Sequence, residues 1–186
     1  MSPTTGTLLD IGCGAVKFAP NWTGIDYRPL PGVDIVHDLE VFPYPIPDDS
    51  VLTARMSHTI EHMKPWLTLS VMDEIWRIMK PKGQLYIAAP YGVSYRFVQD
   101  PTHCNPVNET TFLYFDPAPA HLKGGVNILY SIYQPKPWKI EMLYYQDSGD
   151  IEVVMSKRPF PYVPEEEPKT LEINVAEKVE ITERIS

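Results

Sequence analysis

Thr7-Leu8-Leu9-Asp10-Ile11-Gly12-Cys13-Gly14 joins two local signals within eight residues. A short apolar run of β-type residues predicts a buried strand over Thr7–Ile11. Gly12 and Gly14 then allow a sharp turn and a close approach of the backbone to a ligand, with no Cβ in the way. Asp10 sets a carboxylate beneath that turn. A phosphate cradle favours Lys and a helix N-terminus at this place. A carboxylate suits a ligand with a cationic end or with hydroxyls.

Working outward, Thr23–Asp26 reads as the end of a second strand, Asp34–His37 as a short third and Val51–Ser57 as a fourth. Trp66–Met79 carries Leu67, Val71, Ile75 and Ile78 near helical spacing. It runs into Lys80-Pro81-Lys82-Gly83, a helix stop signal. Gln84–Ala89 follows as a fifth strand. Trp138–Tyr145 and Ile151–Lys157 flank Asp147-Ser148-Gly149-Asp150, which predicts a hairpin. The expected fold class is α/β, a mostly parallel sheet with an antiparallel C-terminal hairpin. Only residues 15–22, with Pro20 among them, separate Gly14 from the second strand. A parallel crossover usually takes about a dozen residues or more, so a shortened first crossover is expected.

The chain of 186 residues has a formal charge of −8, 44% hydrophobic and 22% charged residues. These values describe a globular chain able to bury a core. The acidic balance argues against nucleic acid as a partner, because phosphate contacts need a basic face. No apolar run approaches the roughly 18–20 residues of a membrane span, and no signal-peptide pattern opens the chain. Its two cysteines, Cys13 and Cys104, make no disulfide framework, so a reduced cytoplasmic setting is expected. A domain over 1–160 is expected to give way to an acidic, Pro/Glu-rich tail over 161–186. Within that tail 170–175 and 178–185 alternate apolar and polar residues, as a short strand or a partner-bound segment would; disorder is the competing reading.

The run at 8–14, Gly24–Asp26, Val36–Glu40, Pro45–His62 and Leu85–Tyr91 together resemble the motif series of class I, Rossmann-like S-adenosylmethionine-dependent methyltransferases. Val33–Glu40, Ser57–His62 and Met79–Gly83 resemble a small-molecule-type branch. The resemblance covers roughly residues 6–92. It implies S-adenosylmethionine as cofactor and a small-molecule acceptor. In that reading Gly12, Cys13 and Gly14 lie against the methionine part above Asp10. Asp26, followed by Tyr27, accepts from the ribose hydroxyls. Asp38 accepts from the adenine amino group while Leu39 packs on the ring. Ser57 and His58 end the fourth strand at the carboxyl edge, where open α/β sheets bind ligands. His58 and His103 are the candidate general bases.

This sequence departs from the pattern in two places. Val16 stands where a third glycine is usual, and the N-terminal helices that often cover the donor are not expected. The donor pocket is therefore either open, completed by a partner or second copy, or degenerate. Aromatics at Tyr91, Tyr95, Phe97, Phe112, Tyr114, Phe115, Tyr130 and Tyr133 either line an acceptor pocket or fill the core. Arg96 and the turn at 123–125 offer charge to an anionic acceptor. No Asn/Asp-Pro-Pro-Tyr signature of amino-group DNA methyltransferases follows the fourth strand.

Two other functions compete. One is a non-catalytic binding or assembly module on the same fold. The other starts from His58-Thr59-Ile60-Glu61-His62, an H-x-x-E-H match to the inverted zinc-peptidase motif, with His103 as third ligand. The motif follows a strand directly and is cut by Pro65, so the expectation is that no metal is needed.

Overall fold

Val51–Ser57 and Leu85–Ala89 each send alternate side chains into one core, and both are strands of a single seven-stranded sheet. The computed structural model describes residues 6–117 and 126–163. The strands are β1 (Thr7–Ile11), β2 (Thr23–Asp26), β3 (Ile35–Val36), β4 (Val51–Ser57), β5 (Met79–Pro90), β6 (Trp138–Tyr145) and β7 (Asp150–Lys157). The helices are α1 (Thr68–Ile78), α2 (Tyr95–Val98), α3 (Glu109–Leu113) and α4 (Val126–Tyr133). Sheet order is β3-β2-β1-β4-β5-β7-β6. The first five strands run parallel, and β7 pairs antiparallel with both β5 and β6. This is the Rossmann-like α/β architecture with an antiparallel C-terminal hairpin.

One face of the sheet carries Leu9, Ile11, Ala54, Met56, Leu85, Ile87, Val153 and Met155, all buried. α1 supplies Val71, Met72, Ile75 and Ile78 to the same core. Each such side chain stabilises the fold by about 1.5–3 kcal/mol on burial. The connection from β1 to β2 holds no helix, so the shortened crossover is a loop. That loop is held from below: Asp10, almost fully buried, accepts the Phe18 N–H at 2.7 Å and Arg55 at 3.1 Å.

Three boundaries differ from the sequence reading. The helix starts at Thr68, because Pro65–Leu67 forms a 3-10 turn. Its end falls where the stop signal predicts, but β5 begins at once with Met79. Lys80–Gly83 is an irregularity inside that strand; Met79 pairs Val51, then Gln84 pairs Thr53, and Lys82 takes φ 63°. The third strand shrinks to two residues because Asp34 turns its carboxylate to the Gly24 N–H and Lys17. The turn at 123–125 and the tail from 164 onward lie outside the described residues.

The aromatics divide between the two readings. Phe112 and Phe115 are core, with Tyr91 and Tyr114 packed against it. Tyr95 and Tyr133 are exposed and line surface cavities. Among the described residues no helix is long and apolar enough to cross a membrane.

Candidate active site

The carboxyl ends of β1, β2, β4 and β5 converge on one edge, and two groups of residues sit there. The first is the glycine turn. Gly12 and Cys13 both donate backbone N–H to the Ile25 carbonyl, at 2.8 and 3.2 Å, which ties the turn to β2. Gly14 donates to Asp26 Oδ2 at 3.0 Å. Both glycines take positive φ, 70° and 59°. A Cβ on Gly12 would lie 2.3 Å from Thr59 Oγ1, whereas a Cβ on Gly14 would meet nothing within 4 Å. The turn therefore packs tightly on the residue after His58 and opens at Gly14.

Asp26 is nearly buried and also accepts from the Arg28 N–H at 3.0 Å and Arg28 Nε at 3.3 Å. Burial alone raises a carboxylic acid. Here the two N–H groups and the Arg28 guanidinium outweigh burial and hold Asp26 below its ordinary value. Tyr27 is exposed beside it, with the Arg28 guanidinium 5.1 Å from its ring. Asp38 is exposed and accepts the Glu40 N–H, while Leu39 is buried. The Cys13 thiol is pushed up to about 11 by burial and by Asp10 and Asp26. It stays a neutral thiol near pH 7, a small packing group with no nucleophilic role.

The second group surrounds a cavity of about 600 Å³ lined by His58, Glu61, His62, Arg96, Asp100 and His103, among others. Ser57 ends β4, and His58 follows with φ 50°, a left-handed backbone that non-glycine residues seldom adopt. That turn swings His58 Nδ1 to 3.3 Å from Glu61 Oε1 and Nε2 to 3.9 Å from Asp150 Oδ2. Contact with Glu61 raises the His58 pKa, and Asp150 adds to this; burial and Arg96 oppose it. Arg96 Nε in turn lies 2.9 Å from Asp150 Oδ1.

Ile60–His62 is a single 3-10 turn. The long helix that would place two histidines of an H-x-x-E-H motif on one face is not formed. His62 meets His103 instead, with ring centroids 4.7 Å apart. The loop carrying His103 is fastened to this turn: the Cys104 and Asn105 N–H groups donate to the Glu61 carbonyl, and Asn105 Nδ2 donates to the Ile60 carbonyl.

The structure thus brings Gly12, Cys13, Gly14, Asp26, Ser57 and His58 to one edge, and His103 joins His58 around the cavity. Sequence reasoning missed Asp150, read as a turn acid of the hairpin. The pairing of Pro90 with Asp150 carries it to the carboxyl edge of β5. It also missed Thr59 as the wall of the glycine turn.

No family model and no curated protein matches the chain. Solved structures do. A SAM-dependent methyltransferase from Archaeoglobus fulgidus is 17% identical with a TM-score of 0.57, over 83% of this chain and 87% of that one. A SAM-dependent methyltransferase from Thermotoga maritima is 15% identical with a TM-score of 0.57, over 83% of each chain. The chain has the class I methyltransferase fold. On the methyltransferase fold the carboxyl edge just described is the ligand-binding edge of an open α/β sheet. The same fold serves other chemistry: the [4+2]-cyclase SpnF is 15% identical with a TM-score of 0.51, over 83% of this chain and 76% of that one. Function therefore rests on the site.

Proposed function

We propose that this protein binds S-adenosylmethionine at the Gly12–Gly14 turn and transfers its methyl group to a small-molecule acceptor held in the cavity beside His58. The observation that carries the reading is the direct packing of Gly12 on Thr59. Through it the donor turn abuts the residue that directly follows His58, and His58 lines the cavity. The residues offer the cofactor two features: the backbone at Gly14 is open, with nothing within 4 Å of where a Cβ would lie, and Asp26 stands at the end of β2. The Asp26 carboxylate has about four lone-pair positions. Three bonds from Gly14 and Arg28 occupy it. A ribose hydroxyl takes the remaining position or displaces the half-exposed Arg28 side chain. When bound, the cofactor supplies an electrophilic methyl group on sulfur.

The chain's own residues do the rest. Orientation supplies much of the rate of an in-line transfer, and the rigid β4 end provides it. His58, at the rim of the cavity, takes the acceptor proton. Asp150 and Glu61 favour the imidazolium this creates. His103 adds a second imidazole to the same cavity, with Nδ1 bonded to the Phe97 carbonyl at 2.9 Å. Asp38 and Leu39 stand for the adenine end, and Tyr27 for the ribose flank.

Isothermal titration with S-adenosylhomocysteine tests the reading. Binding is expected, and Asp26→Ala should weaken it by about 1–3 kcal/mol through lost hydrogen bonds to a charged group. No binding by the unaltered protein sinks the proposal. Unchanged affinity in Asp26→Ala removes that residue from the site. Binding without turnover over a broad acceptor panel favours a non-catalytic module instead.

A further inference from the structure

We propose that Glu61, His62 and His103 form a site for one divalent transition-metal ion of the zinc class. One carboxylate oxygen and one nitrogen from each ring lie within 4.8 Å of one another. The Glu61 side chain is fully buried, and neither oxygen has a hydrogen-bond partner. His58 approaches one of them at 3.3 Å, at ion-pair range without hydrogen-bond alignment, so a protonated His58 and a metal ion are alternative partners of this carboxylate. A buried carboxylate left this way is costly unless a cation meets it.

The two imidazoles are set as ligands. His103 Nδ1 faces the Phe97 carbonyl, an acceptor only, so Nδ1 carries the proton and Nε2 keeps the lone pair. Thr102 Oγ1 donates its own proton to Asp100 Oδ1 at 2.7 Å. It therefore accepts from His62 Nδ1 at 3.0 Å, which again leaves Nε2 free. Metal-bound histidines are oriented by this kind of outer contact. With Nε2 the free atom of each ring, the cluster offers one carboxylate and two imidazole lone pairs, and Asp100 Oδ2 lies 3.8 Å from His103 Nε2. Two imidazoles and one carboxylate are a recurrent zinc set, which at bond lengths of about 2.0–2.2 Å and tetrahedral angles holds ligand atoms about 3.3–3.6 Å apart. The three atoms, within 4.8 Å of one another, must draw closer around an ion, and His62 is the exposed ligand with room to move.

All three ligands line the cavity that Tyr95 and Arg96 also line, so an ion on them faces that open space. The ion therefore keeps an open position for an oxygen ligand. Under the methyltransferase reading, on which this last step alone rests, that ligand is an oxygen of the acceptor.

The test uses the full chain without a polyhistidine tag, stripped with chelator and titrated with Zn²⁺ and with Co²⁺. One ion per chain is expected. Glu61→Gln, His62→Ala and His103→Ala should each weaken it at least tenfold, with His37→Gln unchanged. Absence of stoichiometric metal, or wild-type affinity in Glu61→Gln and His103→Ala, overturns the site. X-ray absorption of the zinc-loaded unaltered protein needs no variant to fold. Two imidazoles with oxygen support the proposal, and sulfur from Cys104 or no imidazole overturns it. Metal binding without S-adenosylhomocysteine binding supports the site and defeats only the donor reading; the reverse result defeats the site alone.

Discussion

Asp26 holds the Gly14 N–H, the Arg28 N–H and the Arg28 side chain with one carboxylate, so its protonation undoes several contacts at once. Its folded pKa lies below the ordinary 3.8. A lowered folded value means that the stabilisation is fully present above 3.8 and is lost as pH falls through the lower folded value. Urea unfolding of wild type and Asp26→Asn should therefore differ most near neutrality, with the gap narrowing below 3.8. A gap that stays constant across that window would show that the carboxylate charge contributes nothing to folding. Gly12 is constrained differently. Its positive φ and the Thr59 side chain against it leave no room for any other residue, which is why a glycine here is legible as a turn and its neighbour Thr59 is not.

Between the strands, the loop over Thr102–Asn105 is the element that builds the cavity wall. It has no regular structure and is held by Asn105, whose Nδ2 donates to the Ile60 carbonyl at 3.1 Å and to Thr68 Oγ1 at 3.0 Å. Both acceptors are buried with it, and truncation takes the Asn105 donor from each. Asn105→Ala should cost about 1–3 kcal/mol in chemical unfolding. It should also blur the NMR signals of His62 and His103 relative to those of His37. A stability change within about 0.5 kcal/mol, the range of an ordinary surface substitution, would show that the backbone bonds to Glu61 suffice. α1 positions the other side of this wall, and its sequence announces it: Val71, Ile75 and Ile78 fall on one face and all are buried. Asn105 carries no comparable signal, because a polar residue between Cys and Pro reads as a surface loop until the fold closes around it.

Over the whole molecule the sheet is covered unequally. β5 lies between β4 and β7, yet exposes Gln84 and Tyr86 while burying Leu85 and Ile87 on the opposite face. Parallel sheets are usually covered on both faces. Here loops replace the helices between β1, β2 and β3, and the described residues leave that face partly open. Tyr86→Ser on the open face should change stability by no more than about 0.5 kcal/mol. A loss of several times that in thermal or urea unfolding would show that this face is packed in solution.

The five parallel strands, the glycine turn, α1 and the C-terminal hairpin were all legible in the sequence, since each depends on periodicity or turn chemistry among near neighbours. The acids at the ends of β2 and β3 and the imidazole after β4 followed from the same local reading. The tertiary structure alone decided the company these residues keep. Asp10 serves the loop below the turn through the Phe18 N–H, with Arg55 paired to it from the neighbouring strand β4. Asp150 reaches His58 only because β7 docks against β5. His103 joins Glu61 and His62 only because the loop beyond α2 folds back onto a 3-10 turn some forty residues earlier. Such contacts are chosen by strand order and by the pairing of buried backbone groups, and no local pattern of residues encodes them.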